Sequence, residues 1–521
     1  MRRKLAAAVV ILALVPSAYL AWNSRDLPHL GYFHDDSIYL VGAKSLAEGQ
    51  GYRIASLPRA PYQTKYPPLY PLLLAAVWSP ERPLDANLHA VALLAWMMVP
   101  LYGLAAGVAL RDLGIRPEKT WWLCALVAVN PFVALFGISL LSELPFTALL
   151  VAALAATERA RRGPVRLALL AGALAGLAYL MRSAGLVLLI SGPALLWAYG
   201  RRRHAAAYAA AMLPAVAGWT LWSHFHRLAT TDPSLLYYTD YVGFYLSDVT
   251  SLPAMVWRNF DVMVNSAGAM LLLSGSEWWA KSIARILAAA AAVGAARLIK
   301  RDGWSAYTTF AAGYLGLLLV WNYLPDQRFL LPVFPLLVAG LIEELRHVSG
   351  ALRTAWHSGR RADRAVAAGA TVAFAAVLVF GVVQNVNAYR FTLPRFVDSY
   401  RNGLAANRNA YAWISANTPR DASFFADMDA VFYLYTGRRA CRLVTPPALF
   451  SQPRNDEAAA FYSSMPGYAR EHGLTYALVT RRDLAGDIPV PELASVRARF
   501  TRDARLRLAH DTPGASVYRV N

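Results

Sequence analysis

Residues 34–40 read His34-Asp35-Asp36-Ser37-Ile38-Tyr39-Leu40, and residues 64–71 read Thr64-Lys65-Tyr66-Pro67-Pro68-Leu69-Tyr70-Pro71. Between them lie Ala43, Leu46 and Gly49-Gln50-Gly51-Tyr52. The spacing predicts a short helix over Ser37–Glu48 that ends at the glycines, with Asp35 and Asp36 at its N-terminus. One acid of the pair suits an N-cap, where a carboxylate accepts backbone N–H bonds and is held rigidly. Pro67 and Pro68 stiffen the second stretch and favour a helix start at that point. The apolar run Leu69–Trp78 that follows is too short to cross a bilayer and reads as a re-entrant or interfacial helix. Lys65 then stands at headgroup depth. There it either snorkels as an anchor or, with the helix N-terminus, holds a lipid phosphate.

Both stretches fall between apolar runs. Of the 521 residues, 57% are hydrophobic and 16% charged, against about 45–50% and 25% in average globular domains. The mean hydropathy is +0.34. Together these values argue against a soluble enzyme, and the apolar and aromatic content excludes disorder. Runs long enough to span a membrane lie at about 5–22, 86–110, 120–137, 140–157, 165–181, 184–200, 204–223, 281–299, 305–323, 329–346 and 366–386. Eleven spans, an odd number, place the two ends on opposite sides. The first run follows Arg2, Arg3 and Lys4 and lacks a clean small-x-small cleavage site, so it reads as a retained anchor.

The formal net charge is 51 − 32 = +19. Its placement decides what it means. With the N-terminus inside, arginines and lysines gather at each inward turn (Arg111, Arg116 and Lys119; Arg159, Arg161, Arg162 and Arg166; Arg201–Arg203; Arg297, Lys300 and Arg301; Arg346–Arg364), whereas the tight outward turns near 138–139 and 182–183 hold only Arg182. That is the positive-inside pattern, and no nucleic-acid partner is expected. The two cysteines, Cys124 and Cys441, fall in an apolar run and a polar tail. They make neither a disulfide framework nor a metal site.

Three regions then lie outside: about 23–85, about 224–280 and the tail 387–521. The tail is polar, and its apolar stretches Ala422–Phe425, Ala430–Tyr435 and Tyr476–Thr480 read as strands alternating with helices, a small α/β domain. Asp427-Met428-Asp429 reads as a turn before the strand at 430–435, not as a metal–nucleotide motif. His34 beside two aspartates is weak ground for a metal. The chain has no P-loop, Rossmann glycine pattern or HExxH helix.

The order Asp-Asp-x-x-Tyr, Gly-x-Gly-Tyr and Lys-Tyr-Pro-Pro-Leu-Tyr-Pro in a first outer loop resembles the GT-C glycosyltransferases, in particular the protein mannosyltransferase and aminoarabinose transferase superfamily with its lipopolysaccharide-core branch. The resemblance covers most of the chain in topology and a few short stretches in motif. It implies a mainly α, polytopic membrane protein of about eleven transmembrane helices with the GT-C fold. Residues 1–386 would form the transmembrane catalytic domain and 387–521 a periplasmic α/β domain, in a bacterial inner membrane. It further implies transfer of a hexosyl or pentosyl group from a polyprenyl-phosphate donor to a hydroxyl of a glycan, lipid or protein, with inversion. Asp35 matches the family's base, and Asp36 stands where the family commonly has Glu. Lys65 matches the lysine that contacts the lipid phosphate. Glu143, in Ser142-Glu143-Leu144-Pro145, looks like an acid at the outer end of a later span. Arg328 looks like the Arg-Tyr-x-x-Pro arginine, with Phe329 for the tyrosine.

Glu143 otherwise caps a helix or pairs with a cation, and Arg328 otherwise pairs with Asp326. Arg182 is placed to reach a headgroup or to anchor at the interface. Tyr39, Tyr66 and Tyr70 are expected to position the acceptor or the loop. No cofactor is required, a divalent metal being the lesser alternative; membrane lipids are the remaining partners. A transporter or flippase, or a polymerase or ligase of lipid-linked saccharides, stand as alternatives. The first should show deep polar pairs and related halves, and the second differs mainly in its acceptor.

Overall fold

In the computed structural model, the structure describes residues 2–27, 30–240, 243–244, 252–272, 278–358, 360–445, 449, 455–483 and 490–521. It is mostly helical, with a small sheet near the C-terminus. Five described helices are long and apolar enough to cross a membrane: Lys4–Asn23, Leu84–Asp112, Arg202–Phe225, Trp279–Asp302 and Arg361–Asn417. The 29 residues of Leu84–Asp112 rise about 43 Å at 1.5 Å each, more than the ~30 Å hydrocarbon core. The helices Lys119–Ala128 and Pro131–Gly137 pass the same length and composition test when taken together, with a bend of 60° between them. The break has a chemical cause. Pro131 has no N–H to continue the helix. Asn130 caps the new start, accepting from the Phe132 N–H at 3.0 Å and donating to the Met270 carbonyl at 3.0 Å.

The other expected spans are also largely helical, in the segments Glu143–Ala160, Val165–Met181, Val187–Ala198, Ala306–Leu319 and Phe334–His357. On Arg361–Asn387, Val366, Val372, Leu378, Val379 and Val382 all stand exposed. Water would penalise such a valine–leucine surface, and lipid tails would not. Where helices meet, small residues let backbones approach. A Cβ on Gly294 would lie 1.8 Å from the Gly340 carbonyl oxygen, and one on Gly340 2.2 Å from that of Ala291.

One helix departs from the expectation of an outer loop over 224–280. Leu252–Leu272 is a 21-residue helix. It buries Met255, Asn259, Met263, Ala267 and Met270 on one face, a spacing of four and three that seats a stripe against the bundle. Arg258, Asn259, Asp261 and Asn265 within it lower its mean hydropathy and hide it from a hydropathy reading.

The first loop folds onto the bundle. Its helix runs Asp35–Ala47 and ends before Gly49, whose φ of 72° is open to glycine at no steric cost. A second, seven-residue helix is Leu69–Ala75, starting directly after Pro68.

The long helix Arg361–Asn387 passes through a π-helical turn at Ala388–Thr392 into Leu393–Asn417. There it meets a five-stranded sheet of β1 (Ser423–Ala426), β2 (Arg439–Cys441), β3 (Tyr476–Thr480), β4 (Leu506–Asp511) and β5 (Ala515–Val520). The strand order is β2-β1-β3-β5-β4. β1 is parallel to β2 and β3, and β5 is antiparallel to β3 and β4. The stretch Ala430–Tyr435, expected as a strand, lies instead in the helix Asp429–Thr436, which buries Ala430, Val431, Phe432 and Leu434. A short apolar run buried on several sides carries no period that separates strand from helix. Gly437, at φ 67°, ends this helix in the left-handed cap that glycine favours.

The close helix crossing yields a stability test. Gly340→Ala should lower the unfolding free energy of the detergent-purified protein by about 1–3 kcal/mol through overpacking against backbone. Gly369→Ala, where nothing lies within 4 Å of the new Cβ, should leave the melting temperature unchanged or slightly raised. Equal melting curves would show that the crossing is not tight.

Candidate active site

Arg328 sits in the four-residue helix Gln327–Leu330, whose N-cap Asp326 accepts the Arg328 backbone N–H at 3.0 Å. Asp326 therefore serves the backbone, and the guanidinium is left for other carboxylates. It is 6% exposed. Its Nη2 donates to Asp35 Oδ2 and its Nε to Glu143 Oε1, so one cation bridges two acids from distant segments. Glu143 begins the helix Glu143–Ala160, where the helix dipole favours an acid. It is 1% exposed and forms a second ion pair with Arg182, whose Nη1 lies 2.9 Å from Oε1. Arg182 is held at the break between the helix Val165–Met181 and the 3-10 turn Ser183–Leu186.

Asp35 opens the first-loop helix. Its Oδ1 accepts the Tyr66 hydroxyl at 2.5 Å. Lys65, 4% exposed, donates its Nζ to the Tyr237 carbonyl at 2.7 Å and lies 3.9 Å from the centre of the Tyr237 ring. Asp35, Lys65, Tyr66, Arg182 and Arg328 line one cleft of about 280 Å³, closed further by Phe33, Tyr237, Trp321, Tyr323 and Phe329. Arg258 also lines it, tied to the Asn322 carbonyl at 3.1 Å. Four basic residues (Lys65, Arg182, Arg258 and Arg328) thus meet three acids (Asp35, Asp326 and Glu143), leaving 4 − 3 = +1. The cleft carries a small formal excess of positive charge.

Burial raises the Asp35 carboxyl, but Arg328 and Lys65, with the hydrogen bonds from Arg328 and Tyr66, outweigh it and hold the group at about 2. It is ionised at neutral pH and a weak base while Arg328 is on it. Burial depresses the Lys65 ammonium to about 8, with Asp35 opposing and Arg328 adding to the fall.

Asp36 stands apart from this cleft. Fully buried, it accepts the N–H groups of Gly31 at 2.7 Å, Phe33 at 3.2 Å and Ser37 at 2.5 Å. Burial pushes it up to about 6 against those bonds. Its observed work is to tie the turn that presents Asp35. Tyr66 reaches Asp35, whereas Tyr39 bonds Ser142 Oγ at 3.3 Å. Tyr70 packs edge-on to Tyr39, with ring centres 5.1 Å apart. Farther along the chain, Tyr411 and Ile414 are core of the sheet unit. Arg438 binds the carbonyls of Ser415, Thr418 and Thr436.

Tyr237, Arg258 and Trp321 escaped the sequence reading. Asp232-Pro233 marks the start of the helix Pro233–Thr239 that carries Tyr237, with Asp232 capping the Ser234 N–H at 2.9 Å; that start signal was legible. Nothing local marks Arg258. Among the described residues, no group of three or more His, Cys, Asp or Glu side chains is placed to hold a metal ion.

Removing Arg328 leaves two buried carboxylates short of a counter-ion, so Arg328→Met should cost about 3–5 kcal/mol of stability. Adding Glu143→Gln should recover part of that loss. A double-mutant cycle by thermal unfolding reads the coupling, and strict additivity would remove the bridge from the account.

No protein-family model and no curated protein sequence matches the chain. Solved structures do. ArnT from Cupriavidus metallidurans in the apo state aligns at TM-score 0.56 and 14% identity over 99% of this chain and 98% of that one. The same protein bound to undecaprenyl phosphate aligns at 0.55 and 15% over 98% and 97%. The archaeal oligosaccharyltransferase AglB from Archaeoglobus fulgidus, in complex with an inhibitory peptide and a dolichol-phosphate, aligns at 0.54 and 12% over 92% and 70%. At such identities the likeness speaks of architecture: this chain is a membrane protein with the fold of the GT-C glycosyltransferases.

Proposed function

We propose that the protein is a membrane glycosyltransferase that moves a hexosyl or pentosyl group from a polyprenyl-phosphate donor to a hydroxyl of a glycan, lipid or protein at the outer face of a bacterial inner membrane. The observation that carries this reading is the meeting of Asp35, Lys65 and Arg328 in one cationic cleft. ArnT with undecaprenyl phosphate and AglB with dolichol-phosphate support a lipid phosphate as the ligand of such a cleft. The basic inward turns support a cytoplasmic N-terminus, with residues 1–386 as the membrane unit and 387–521 outside.

The acceptor oxygen attacks the anomeric carbon, the bond from that carbon to the phosphate oxygen breaks, and polyprenyl phosphate leaves with inversion. The acceptor proton passes to Asp35. Lys65, Arg182, Arg258 and Arg328 offset the charge that grows on the leaving phosphate, so we assign no cofactor to the step. The low pKa of the resting Asp35 has a use here. A phosphate that draws Arg328 and Lys65 toward itself removes the charges that hold the carboxyl down, and burial then raises its basicity. The base thereby strengthens as donor binds.

Two measurements test the reading. Purified full-length protein, given a panel of undecaprenyl-phosphate sugars and candidate acceptors, should release undecaprenyl phosphate, and Asp35→Asn should lower kcat by at least ~10²-fold. Equal turnover removes Asp35 from the mechanism. Lys65 carries its charge below about 8 and loses it above. Affinity for undecaprenyl phosphate should therefore be flat from about pH 7, where the phosphate is already largely dianionic, up to about pH 8, and then weaken by roughly tenfold per pH unit. Lys65→Arg, charged throughout, should keep the affinity flat to alkaline pH. A flat wild-type profile would exclude Lys65 as the phosphate ligand.

A further inference from the structure

His34, the residue before Asp35, has a left-handed backbone with φ of 60°, a conformation uncommon for any residue with a Cβ. Its ring is gripped on both nitrogens. Nδ1 lies 3.1 Å from the Tyr237 hydroxyl and Nε2 lies 2.9 Å from Asp429 Oδ1. Its carbonyl accepts the Ser37 hydroxyl at 2.9 Å and the Ile38 N–H at 3.2 Å, so the first turn of the Asp35 helix hangs from this residue.

Asp429 comes from the sheet unit, 395 positions away in sequence. It is fully buried, and its Oδ1 also accepts the Tyr238 hydroxyl at 2.8 Å. Oδ2 finds no hydrogen-bond partner among the described residues. A carboxylate in the first turn of a helix ordinarily serves that helix's own N–H groups. This one points across the unit boundary instead, and the burial of its second oxygen is costly unless the arrangement does something else. The second chain of contacts runs through Tyr237, whose carbonyl and ring hold Lys65. One carboxylate therefore reaches the acid of the cleft through His34, and the lysine through His34 and Tyr237.

We propose that Asp429 is a positioning residue of the transfer site: through His34 and Tyr237 it holds Asp35 and Lys65 in register, so that the C-terminal α/β unit completes the cleft instead of covering it. This rests on the cleft being a lipid-phosphate site. Asn in place of Asp429 keeps the shape and one acceptor but loses the charge that orients the imidazole. Gly in place of His34 accepts the backbone conformation without strain and leaves a hole the size of the ring.

The test uses full-length protein in detergent and undecaprenyl phosphate as the probe, with affinities measured for wild type, Lys65→Ala, Asp429→Asn and His34→Gly, and melting temperatures alongside. A well-placed charge-assisted hydrogen bond is worth roughly 10- to 100-fold in affinity, so Asp429→Asn and His34→Gly, which lose the placement of Lys65, should each bind weaker by about that factor. Free imidazole should restore binding to His34→Gly and leave Lys65→Ala unchanged. Imidazole in the hole also stabilises the fold, so affinities are read well below the melting temperature of His34→Gly, where added stability by itself leaves binding unchanged. Wild-type affinity in Asp429→Asn, or no response of His34→Gly to imidazole, overturns the proposal. Should Asp429→Asn fail to fold, the imidazole arm decides alone. If wild type and Lys65→Ala bind alike, the reading of the cleft falls instead, a result separable from the first two.

Discussion

One guanidinium organises the site. Arg328 bridges Asp35 from the first loop and Glu143 from the start of a later helix, and Glu143 in turn takes Arg182. All of these groups are largely removed from water, where unpaired charge is expensive and pairing must be close to complete. Each element that brings one member is therefore constrained by the others. The loop helix, the Glu143 helix, the break at Arg182 and the short helix at Arg328 hold a common position because none can retreat without stranding a charge.

The same network sets the chemistry. A carboxylate pressed between burial and two cations is ionised but unreactive, and its basicity depends on where those cations are engaged. Lys65 is depressed toward neutrality by the same burial. In the unliganded cleft Asp35 and Lys65 thus hold each other and Arg328 in balance, with every group already in place. The sheet unit enters through specific contacts with the first loop. The Ala440 N–H donates to the Ser56 carbonyl at 2.8 Å, and the Gly31 turn passes so near Met428 that a Cβ there would lie 2.0 Å from its methyl.

The membrane helices were legible because a spanning helix needs length and apolarity, both local properties. Their breaks were legible less evenly. Asn130-Pro131 carries its own stop signal, whereas the amphipathic helix Leu252–Leu272 lacks a hydropathy peak and shows only in which face is buried. The run Ala430–Tyr435 was misread for a related reason: helix and strand look alike in a short apolar stretch until neighbours fix the hydrogen bonds. In the site, Asp35, Lys65, Glu143 and Arg328 stand in recognisable strings. The difference between Asp35 and Asp36 does not, since two adjacent acids differ only in which way the turn points them.

By itself the sequence determined that this chain carries apolar helices of membrane length, and it singled out which acid and lysine of the first loop to watch. Those facts follow from apolar length, charge placement and proline and glycine punctuation, all of which act over a few residues. Only the tertiary structure decided that Asp35 faces the cleft while Asp36 ties a turn, that Arg328 serves two acids at once, and that Tyr237, Arg258 and the His34–Asp429 pair surround them. Those facts depend on contacts between residues hundreds of positions apart, and burial, which sets the strength of each charge, exists only once the helices have packed.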